Sequence, residues 1–461
     1  MKHPIKQLFV LLLAFCLILS LAACAEKAAP ARADSPAEPA HRDDGKTSAD
    51  GKGDAEAPGD GAKTEFYNAD KAAPEAVPDA APDAAPAAYD SAAGFVYRES
   101  PDGAAPTASG EGTVDTIERD QQLSAEPLKL TAAEWKDNEN WPFFVNLVNT
   151  ELISFPSFGL DPRNRVEVRV QSEEGTPLGN WAVVLTDGEG NTLWQARTDK
   201  HGVAYLFWME GQTPDRVVCG NASAQVQTPE PPTDPQGKTQ LRPSGTITLT
   251  VSAEAQTATG LQIMFIVDTT GSMSDEIAYL QKDFAAIAER VGSEGVRYSV
   301  NFYRDEGDEY VTRTNGFSSD VAEIQAKINA EYADGGGDTP EAVAEILTEC
   351  LQDQSEWDED SVKLAFLIFD APPHEGKEAA LQAAVSAAAE KGIRLIPVVA
   401  SNAERETELF GRALAILTGG TYVFLTDDSG IGDSHLEPIV GNYEVELLQD
   451  LIVRVIEEYR A

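Results

Sequence analysis

Three oxygen-bearing side chains follow an apolar run and alternate along one short segment. They are Asp268, Thr270 and Ser272, which come directly after residues 261–267. Carboxylate and hydroxyl oxygens are the ligands of small hard cations such as Mg²⁺ or Mn²⁺, whereas zinc and copper favour nitrogen and sulfur. The apolar run predicts a buried strand that would hold the segment rigidly. The spacing therefore indicates a divalent-cation site.

Two segments further along the chain could complete such a site. Residues 335–341, Gly-Gly-Gly-Asp-Thr-Pro-Glu, form a glycine-rich turn that contains Thr339, and Pro340 is expected to open a helix there. Residues 362–370 are a second apolar run, and it ends in Asp370. The turn lacks the Gly-Lys-Ser/Thr ending of a nucleotide-binding loop, which disfavours a phosphate cradle.

Together these segments resemble the von Willebrand factor type A domain. The metal-ion-dependent adhesion site of that family uses Asp-x-Ser-x-Ser, a distant Thr and a distant Asp, and Thr270 here keeps the hydroxyl of the first Ser. The resemblance implies that Asp268, Thr270, Ser272, Thr339 and Asp370 bind one Mg²⁺ (or Mn²⁺) ion. It also implies that an acidic residue of a protein ligand completes the coordination. The alternative is a domain of this fold with a degenerate metal site.

The order of predicted elements favours an α/β fold. Apolar runs that predict strands alternate with helical patterns from residue 258 to the end of the chain. This alternation predicts a doubly wound, mostly parallel, Rossmann-like sheet. In open sheets of this kind, ligands bind beyond the carboxyl ends of strands where the strand order reverses. We therefore expect Asp268 and Asp370 to lie at the same edge of the sheet.

The beginning of the chain resembles a bacterial lipoprotein signal. Lys2 and Lys6 precede an apolar run at 8–23, and Leu-Ala-Ala-Cys occupies 21–24. The resemblance implies that residues 1–23 are a signal peptide and that Cys24 carries the lipid. A transmembrane anchor or an ordinary secretory signal are the alternatives, although the run is short for a span of about 20 residues. The expected location is the bacterial cell membrane, lipid-anchored and facing the extracytoplasmic side.

Two different regions separate this signal from the α/β domain at 258–461. Residues 24–126 are rich in Ala, Pro and acidic residues, a composition that predicts a disordered tether. Residues 127–257 alternate apolar and polar side chains between Asp/Gly/Asn turns, which predicts a small all-β sandwich. That sandwich resembles the carboxypeptidase-regulatory-like, immunoglobulin-type modules of bacterial surface proteins.

The charge and the missing motifs restrict the function. The chain has 77 acidic and 35 basic residues, a formal net charge of -42, so nucleic-acid phosphates would be repelled. It contains neither a Gly-x-Ser-x-Gly nucleophile elbow nor a His-Glu-x-x-His zinc motif, and we expect no enzyme activity. The expected function is cation-dependent capture of a protein ligand by a lipid-anchored surface protein. The alternative is a non-catalytic envelope scaffold, in which both domains organise a multiprotein complex.

Overall fold

The computed structural model describes residues 130–228, 230–242, 245–255, 258–337, 339–353, 356–429 and 435–460. The predicted signal peptide (1–23), the lipid-attachment residue Cys24 and the predicted tether (24–126) lie outside these residues. No helix in the described ranges is both long enough and apolar enough to cross a membrane.

The described residues form β-strands and α-helices that we number in chain order. The strands are β1 (Thr131–Trp135), β2 (Arg165–Ser172), β3 (Ala182–Thr186), β4 (Thr192–Arg197), β5 (Val203–Phe207), β6 (Arg216–Cys219), β7 (Ala222–Gln225), β8 (Thr246–Val251), β9 (Gly260–Asp268), β10 (Val296–Tyr303), β11 (Thr312–Arg313), β12 (Ser361–Phe369), β13 (Ile393–Val399), β14 (Tyr422–Thr426) and β15 (Glu446–Leu447). The α-helices are α1 (Trp141–Asn149), α2 (Ser274–Val291), α3 (Val321–Ala330), α4 (Val343–Leu347), α5 (Glu378–Lys391), α6 (Arg405–Thr418) and α7 (Leu448–Arg460).

The largest sheet has eight strands in the order β11-β10-β9-β12-β13-β14-β1-β15. Five adjacent strands, β10, β9, β12, β13 and β14, are mutually parallel. The other three strands, β11, β1 and β15, pair antiparallel. The predicted α/β fold with a mostly parallel sheet is thus confirmed. The strand order reverses between β9 and β12, because the chain moves outward from β9 to β11 and then returns to the other side of β9. This is the switch point at which ligand sites form.

Apolar side chains of the central strands alternate between two cores. In β9, Ile263 and Phe265 belong to one core, with residues of α2, α3 and α7. Met264 and Ile266 belong to the other, with residues of α4, α5 and α6. Because both faces of the strand are buried, its sequence is an almost continuous apolar run. The ends of β9 and β12 are held in place by this packing on both sides.

Two smaller sheets precede β9 along the chain, as the predicted β-sandwich requires. One has the order β5-β2-β8 and the other the order β4-β3-β6-β7. Their pairings are antiparallel, except that β2 and β8 run parallel. Their buried residues join the core formed by α4, α5 and α6. The small sheets therefore share apolar packing with the large one.

Strand β1 lies in a different sheet from the one its sequence position suggests. It falls within 127–257, the region assigned to the β-sandwich, but it pairs antiparallel with β14, with Thr131 opposite Thr426 and Trp135 opposite Tyr422. The domain boundary predicted between residues 257 and 258 therefore does not coincide with the division between the small sheets and the large one. The physical reason is that β14 would otherwise expose unpaired backbone groups, which β1 satisfies. The small sheets lie in sequence between two strands of the large sheet.

The predicted helix start at Pro340 is also different in the structure. Helix α4 begins at Val343. The amide of Glu341 donates instead to the carbonyl oxygen of Pro372 at 3.0 Å, and Glu341 forms a parallel β-bridge with Pro373. A backbone contact between two loops thus takes the place of the first helical turn.

A buried ionic group joins the segment after β1 to helix α6. The Arg412 guanidinium donates to both carboxylate oxygens of Asp137, at 2.7 and 2.9 Å, and to Glu408 at 3.1 Å. The side chains of Arg412 and Glu408 are fully buried and that of Asp137 is 1% exposed. Removal of one member of such a group leaves an uncompensated charge in the interior.

We predict that Arg412→Ala lowers the free energy of unfolding by about 3–5 kcal/mol, because it removes a buried cation that is bonded to two buried acids. The matched control is Arg454→Ala. Arg454 pairs with Glu134 at 2.7 Å and Glu446 at 2.6 Å, but its side chain is 44% exposed. Its loss should cost about 1 kcal/mol or less. Urea unfolding of both variants measures the difference, and equal losses would contradict the prediction.

Candidate metal centre

The two predicted aspartate ligands lie at the same edge of the large sheet. Asp268 is the last residue of β9, and Asp370 follows the last residue of β12. These strands are adjacent and parallel, with Ile368 opposite Val267. We call the edge at which β9, β10 and β12 end the carboxyl edge. Both aspartates are buried there, with exposures of 0% for Asp268 and 8% for Asp370.

Hydroxyl groups connect the two aspartates. Asp268 Oδ1 accepts hydrogen bonds from the Thr270 amide at 2.9 Å and from the Thr270 hydroxyl at 2.7 Å. The hydroxyl oxygens of Thr270 and Ser272 lie 3.4 Å apart. Ser272 in turn lies close enough to Asp370 to oppose the rise in the pKa of that carboxyl. The structure therefore brings four of the five predicted ligands into one continuous cluster.

The fifth predicted ligand, Thr339, lies on a neighbouring loop. The amide of Gly271 donates to the Gly335 carbonyl oxygen at 3.3 Å, which joins this glycine-rich loop to the loop after β9. Gly336 has a positive φ of 71°, and a side chain there would come within 3.3 Å of Thr270 Cβ. Thr339 is exposed, and among the described residues no hydrogen bond joins it to the other four. Only glycine permits this close approach of the loop to Thr270.

One oxygen of the cluster has no partner. Asp268 Oδ2 is buried and without a hydrogen bond of acceptable geometry, and the same holds for the Tyr303 hydroxyl on the neighbouring strand β10. Tyr303 lies opposite Asp268 in the sheet register, close enough to lower the pKa of that carboxyl. Buried polar atoms are almost always satisfied by protein, water or an ion. An unsatisfied carboxylate oxygen here is consistent with a place for a ligand.

Further titratable side chains line the same edge, and the five-residue pattern did not include them. Glu341 is 4% exposed, and its Oε2 is also buried without a partner. Asp305 follows β10 and lies 2.6 Å from His374 Nε2. One feature of the sequence points to Glu341, namely its place directly after Thr339 and Pro340 in the glycine-rich turn. The position of Glu341 in this turn did not indicate that its side chain would be buried.

Burial raises the pKa values of Asp268, Asp370 and Glu341, and repulsion by neighbouring acids adds to the shifts of Asp268 and Glu341. Burial, and then the charge of Asp370, raise the pKa of Asp268 to about 7, although the hydrogen bonds from Thr270 oppose the shift. Burial raises the pKa of Asp370 as well. Glu341 is affected most, because burial and the charges of Asp268, Asp305 and Asp370 raise its pKa to about 9. Without a cation, the carboxyl edge therefore binds protons at neutral pH.

The donor set fits a small hard cation. The two aspartates and the hydroxyls of Thr270 and Ser272 offer only oxygen, which suits Mg²⁺ or Mn²⁺. Within the described residues, no group of three or more His, Cys, Asp or Glu side chains is arranged to hold a metal ion. A metal at this edge would therefore depend on the hydroxyls and on water, as Mg²⁺ sites usually do.

A Ser-His-Asp arrangement begins just after strand β13, the parallel neighbour of β12. Ser401 Oγ is 3.1 Å from His435 Nε2, and His435 Nδ1 is 2.8 Å from Asp427 Oδ1. The Ser401 hydroxyl also donates to Glu276 Oε1 at 2.9 Å, and Ser401 is only 5% exposed. A nucleophile needs an accessible oxygen whose proton its base can take. This serine is buried and bonded to a carboxylate, so the arrangement has the features of a structural network.

Comparisons with known proteins agree with this fold. Residues 262–430 match the family model described as von Willebrand factor A domain. A putative ariadne-like RING finger protein of Acanthamoeba polyphaga mimivirus is 30% identical over 124 residues, which is 26% of this chain. The match spans only 12% of that viral protein.

We predict that the metal-free protein loses stability as the pH rises from about 4 to about 7. The folded protein holds a proton on Asp268 more tightly than the unfolded chain does, because its pKa is raised from 3.8 to about 7. Stability from this proton is present below the unfolded pKa and is lost as the pH passes the folded one. Asp268→Asn removes this titration.

The measurement is urea unfolding in EDTA at several pH values. Between pH values of about 4 and 8, the unfolding free energy of the wild type should fall more steeply than that of Asp268→Asn. Asp275→Asn, at an exposed position in the first turn of α2, serves as the control and should keep the wild-type slope. The same slope in wild type and Asp268→Asn would show that Asp268 is not the titrating group.

Proposed function

We propose that the von Willebrand factor A domain at residues 262–430 binds a protein partner through a Mg²⁺ or Mn²⁺ ion, with a carboxylate of that partner completing the coordination. The observation that carries this proposal is the cluster of Asp268, Thr270, Ser272 and Asp370, in which a buried Asp268 oxygen lacks a partner. Thr339 is proposed as the fifth ligand.

The roles of the five residues follow from their chemistry. Asp268 and Asp370 would supply two negative charges that offset the charge of the cation. Thr270, Ser272 and Thr339 would supply neutral oxygens, and the first two already orient the aspartates. A divalent cation bound there would attract a partner carboxylate in exchange for one of its waters. Because the two aspartates balance the cation, an approaching acid meets no net repulsion from these ligands.

We propose that this is binding without turnover. The oxygen cluster contains no nucleophile beside a base, and the buried Ser401 donates to Glu276. His374, the histidine near the carboxyl edge, is paired with Asp305 at 2.6 Å.

We propose that the protein acts at the extracytoplasmic face of a bacterial membrane. The support is the sequence at 21–24, Leu-Ala-Ala-Cys, which follows a basic and apolar beginning. Lipid on Cys24 would leave more than 100 residues between the membrane and Leu130, where the described part begins. A chain of that length would allow the carboxyl edge to face partners away from the lipid surface.

Scaffolding is the second candidate, and one observation favours it. The small sheets are fixed to the α/β part by polar contacts as well as by shared core packing. The Arg394 guanidinium donates to the Arg197 carbonyl oxygen at 2.8 Å, and the Gln382 amide donates to the Gly159 carbonyl oxygen at 2.7 Å. A cleft of about 320 Å³ lies beside this junction, lined in part by Trp208 and Met209. A rigid two-part body of this kind could hold partners in a fixed arrangement without a metal.

We predict that Asp268→Ala weakens Mn²⁺ binding at least about tenfold, because it removes a charged ligand. Calorimetric titration of the purified protein measures this, and Asp275→Ala is the control that removes an exposed acid from the same region. Cross-linked pull-downs from intact cells should then recover the partner with Mg²⁺ but not with EDTA or from Asp268→Ala cells. A partner that is recovered in EDTA and also from Asp268→Ala cells would favour the scaffold. Unchanged Mn²⁺ affinity in Asp268→Ala would refute the metal site.

We predict that Cys24→Ser moves the protein from the membrane fraction to the soluble fraction, because the lipid is attached to that thiol. The measurement is detergent phase partitioning together with labelling by a fatty-acid analogue. Cys16→Ala is the control, since it removes a cysteine from the same segment but leaves 21–24 intact. Labelling that persists in Cys24→Ser would contradict lipid attachment at this residue.

A further inference from the structure

Glu341 is a buried acid without an internal counter-charge. Only 4% of the residue is exposed, and its Oε2 has no hydrogen-bond partner. A buried carboxylate is costly unless it is paired or neutralised, because burial removes its solvation by water. Its position therefore requires an explanation beyond packing.

The backbone places this side chain beside the proposed metal ligands. The Glu341 amide is bonded to the Pro372 carbonyl, two residues beyond Asp370. On the other side, a Cβ added to Gly336 would lie 3.0 Å from Glu341 Oε1 and 3.3 Å from Thr270 Cβ. One carboxylate oxygen is thus packed at the glycine loop next to Thr270.

Two basic side chains in the segment after Asp370 are already paired with other acids. His374 Nε2 lies 2.6 Å from Asp305. Lys377 Nζ lies 2.5 Å from Glu345 and 3.1 Å from Glu306. Within the described residues, no Lys, Arg or His forms a salt bridge with Glu341, whose charged neighbours are acids. A proton or a cation from outside the chain must therefore neutralise this carboxylate.

We propose that Glu341 is a positioning residue of the metal site, with its carboxylate accepting hydrogen bonds from water on the bound cation. This inference rests on the proposed metal binding. Direct coordination is not part of it, because Asp268, Asp370 and Glu341 do not form a three-carboxylate ligand group. Mg²⁺ and Mn²⁺ keep several waters, which would give the unpaired Oε2 the donors that it lacks. Acids placed in this way around bound water strengthen metal binding and fix ligand orientation.

The test is a Mn²⁺ titration of the full-length protein, with Glu341→Gln compared with wild type. Gln keeps the size of the side chain but loses the charge, and we expect Mn²⁺ affinity to fall about tenfold. The matched control is Glu375→Gln, which removes an exposed acid from the loop after Asp370. Its effect should stay under about twofold, because solvent and salt screen exposed charges.

Thermal unfolding separates this role from a merely structural one. In EDTA, Glu341→Gln should unfold at the same temperature as wild type or higher, since a repelled buried acid has been replaced by a neutral group. With saturating Mn²⁺, the stabilisation should be smaller for Glu341→Gln than for wild type. A residue needed only for folding would instead lower the unfolding temperature in EDTA.

The outcomes are distinguishable. If wild type and Glu375→Gln bind Mn²⁺ and Glu341→Gln binds it equally well or more tightly, the inference about Glu341 is wrong and the metal site stands. Lower stability of Glu341→Gln in EDTA would also overturn the inference. If wild type binds no Mn²⁺ or Mg²⁺, the proposed function and this inference fail together.

Discussion

At the carboxyl edge, the fold holds buried carboxylates close together although they repel one another. This repulsion is the constraint on which the rest of the site depends. Asp268, Asp370 and Glu341 are nearly inaccessible, and salt bridges from lysine or arginine reach none of them within the described residues. By contrast, the buried Asp137 forms a salt bridge with the buried Arg412. The contrast matters because an unpaired buried charge is costly. We propose that a divalent cation supplies the missing charge.

The fold makes this costly arrangement possible. Strands β9 and β12 are buried on both faces, so their ends cannot move apart to relieve the repulsion. The glycine-rich loop is fixed by Asp308, whose carboxylate accepts from the Gly336 amide at 2.9 Å and from the Asp305 amide at 3.0 Å. A side chain at Gly335 would collide with Asp308, at 2.3 Å. Stability of the packed sheet thus compensates for local repulsion, which is typical of sites built to bind a ligand.

Much of this arrangement could be predicted from the sequence, because it follows from local patterns. The apolar runs before Asp268 and Asp370 indicate strands buried on both faces, and parallel strands bring their carboxyl ends to one edge. The hydroxyls at Thr270 and Ser272 follow directly from their spacing after Asp268. These inferences need no information about distant contacts.

The features that could not be predicted depend on contacts between distant segments. Strand β1 joins the large sheet because β14 needs a partner, and nothing in its own five residues indicates that pairing. Helix α4 begins after Pro340 because the Glu341 amide bonds to another loop. The burial of Glu341 follows from that same contact. Propensity rules describe local preference, and tertiary hydrogen bonds override it here.

We propose that a divalent cation lies between the ends of β9 and β12. The most direct measurement is a crystal structure of the protein grown with Mn²⁺, with anomalous diffraction to locate the ion. We expect a single strong anomalous peak within coordination distance of Asp268, Ser272 and Asp370, with water between the ion and Glu341. A map without a peak at this edge, under conditions in which Mn²⁺ saturates the protein, would contradict it.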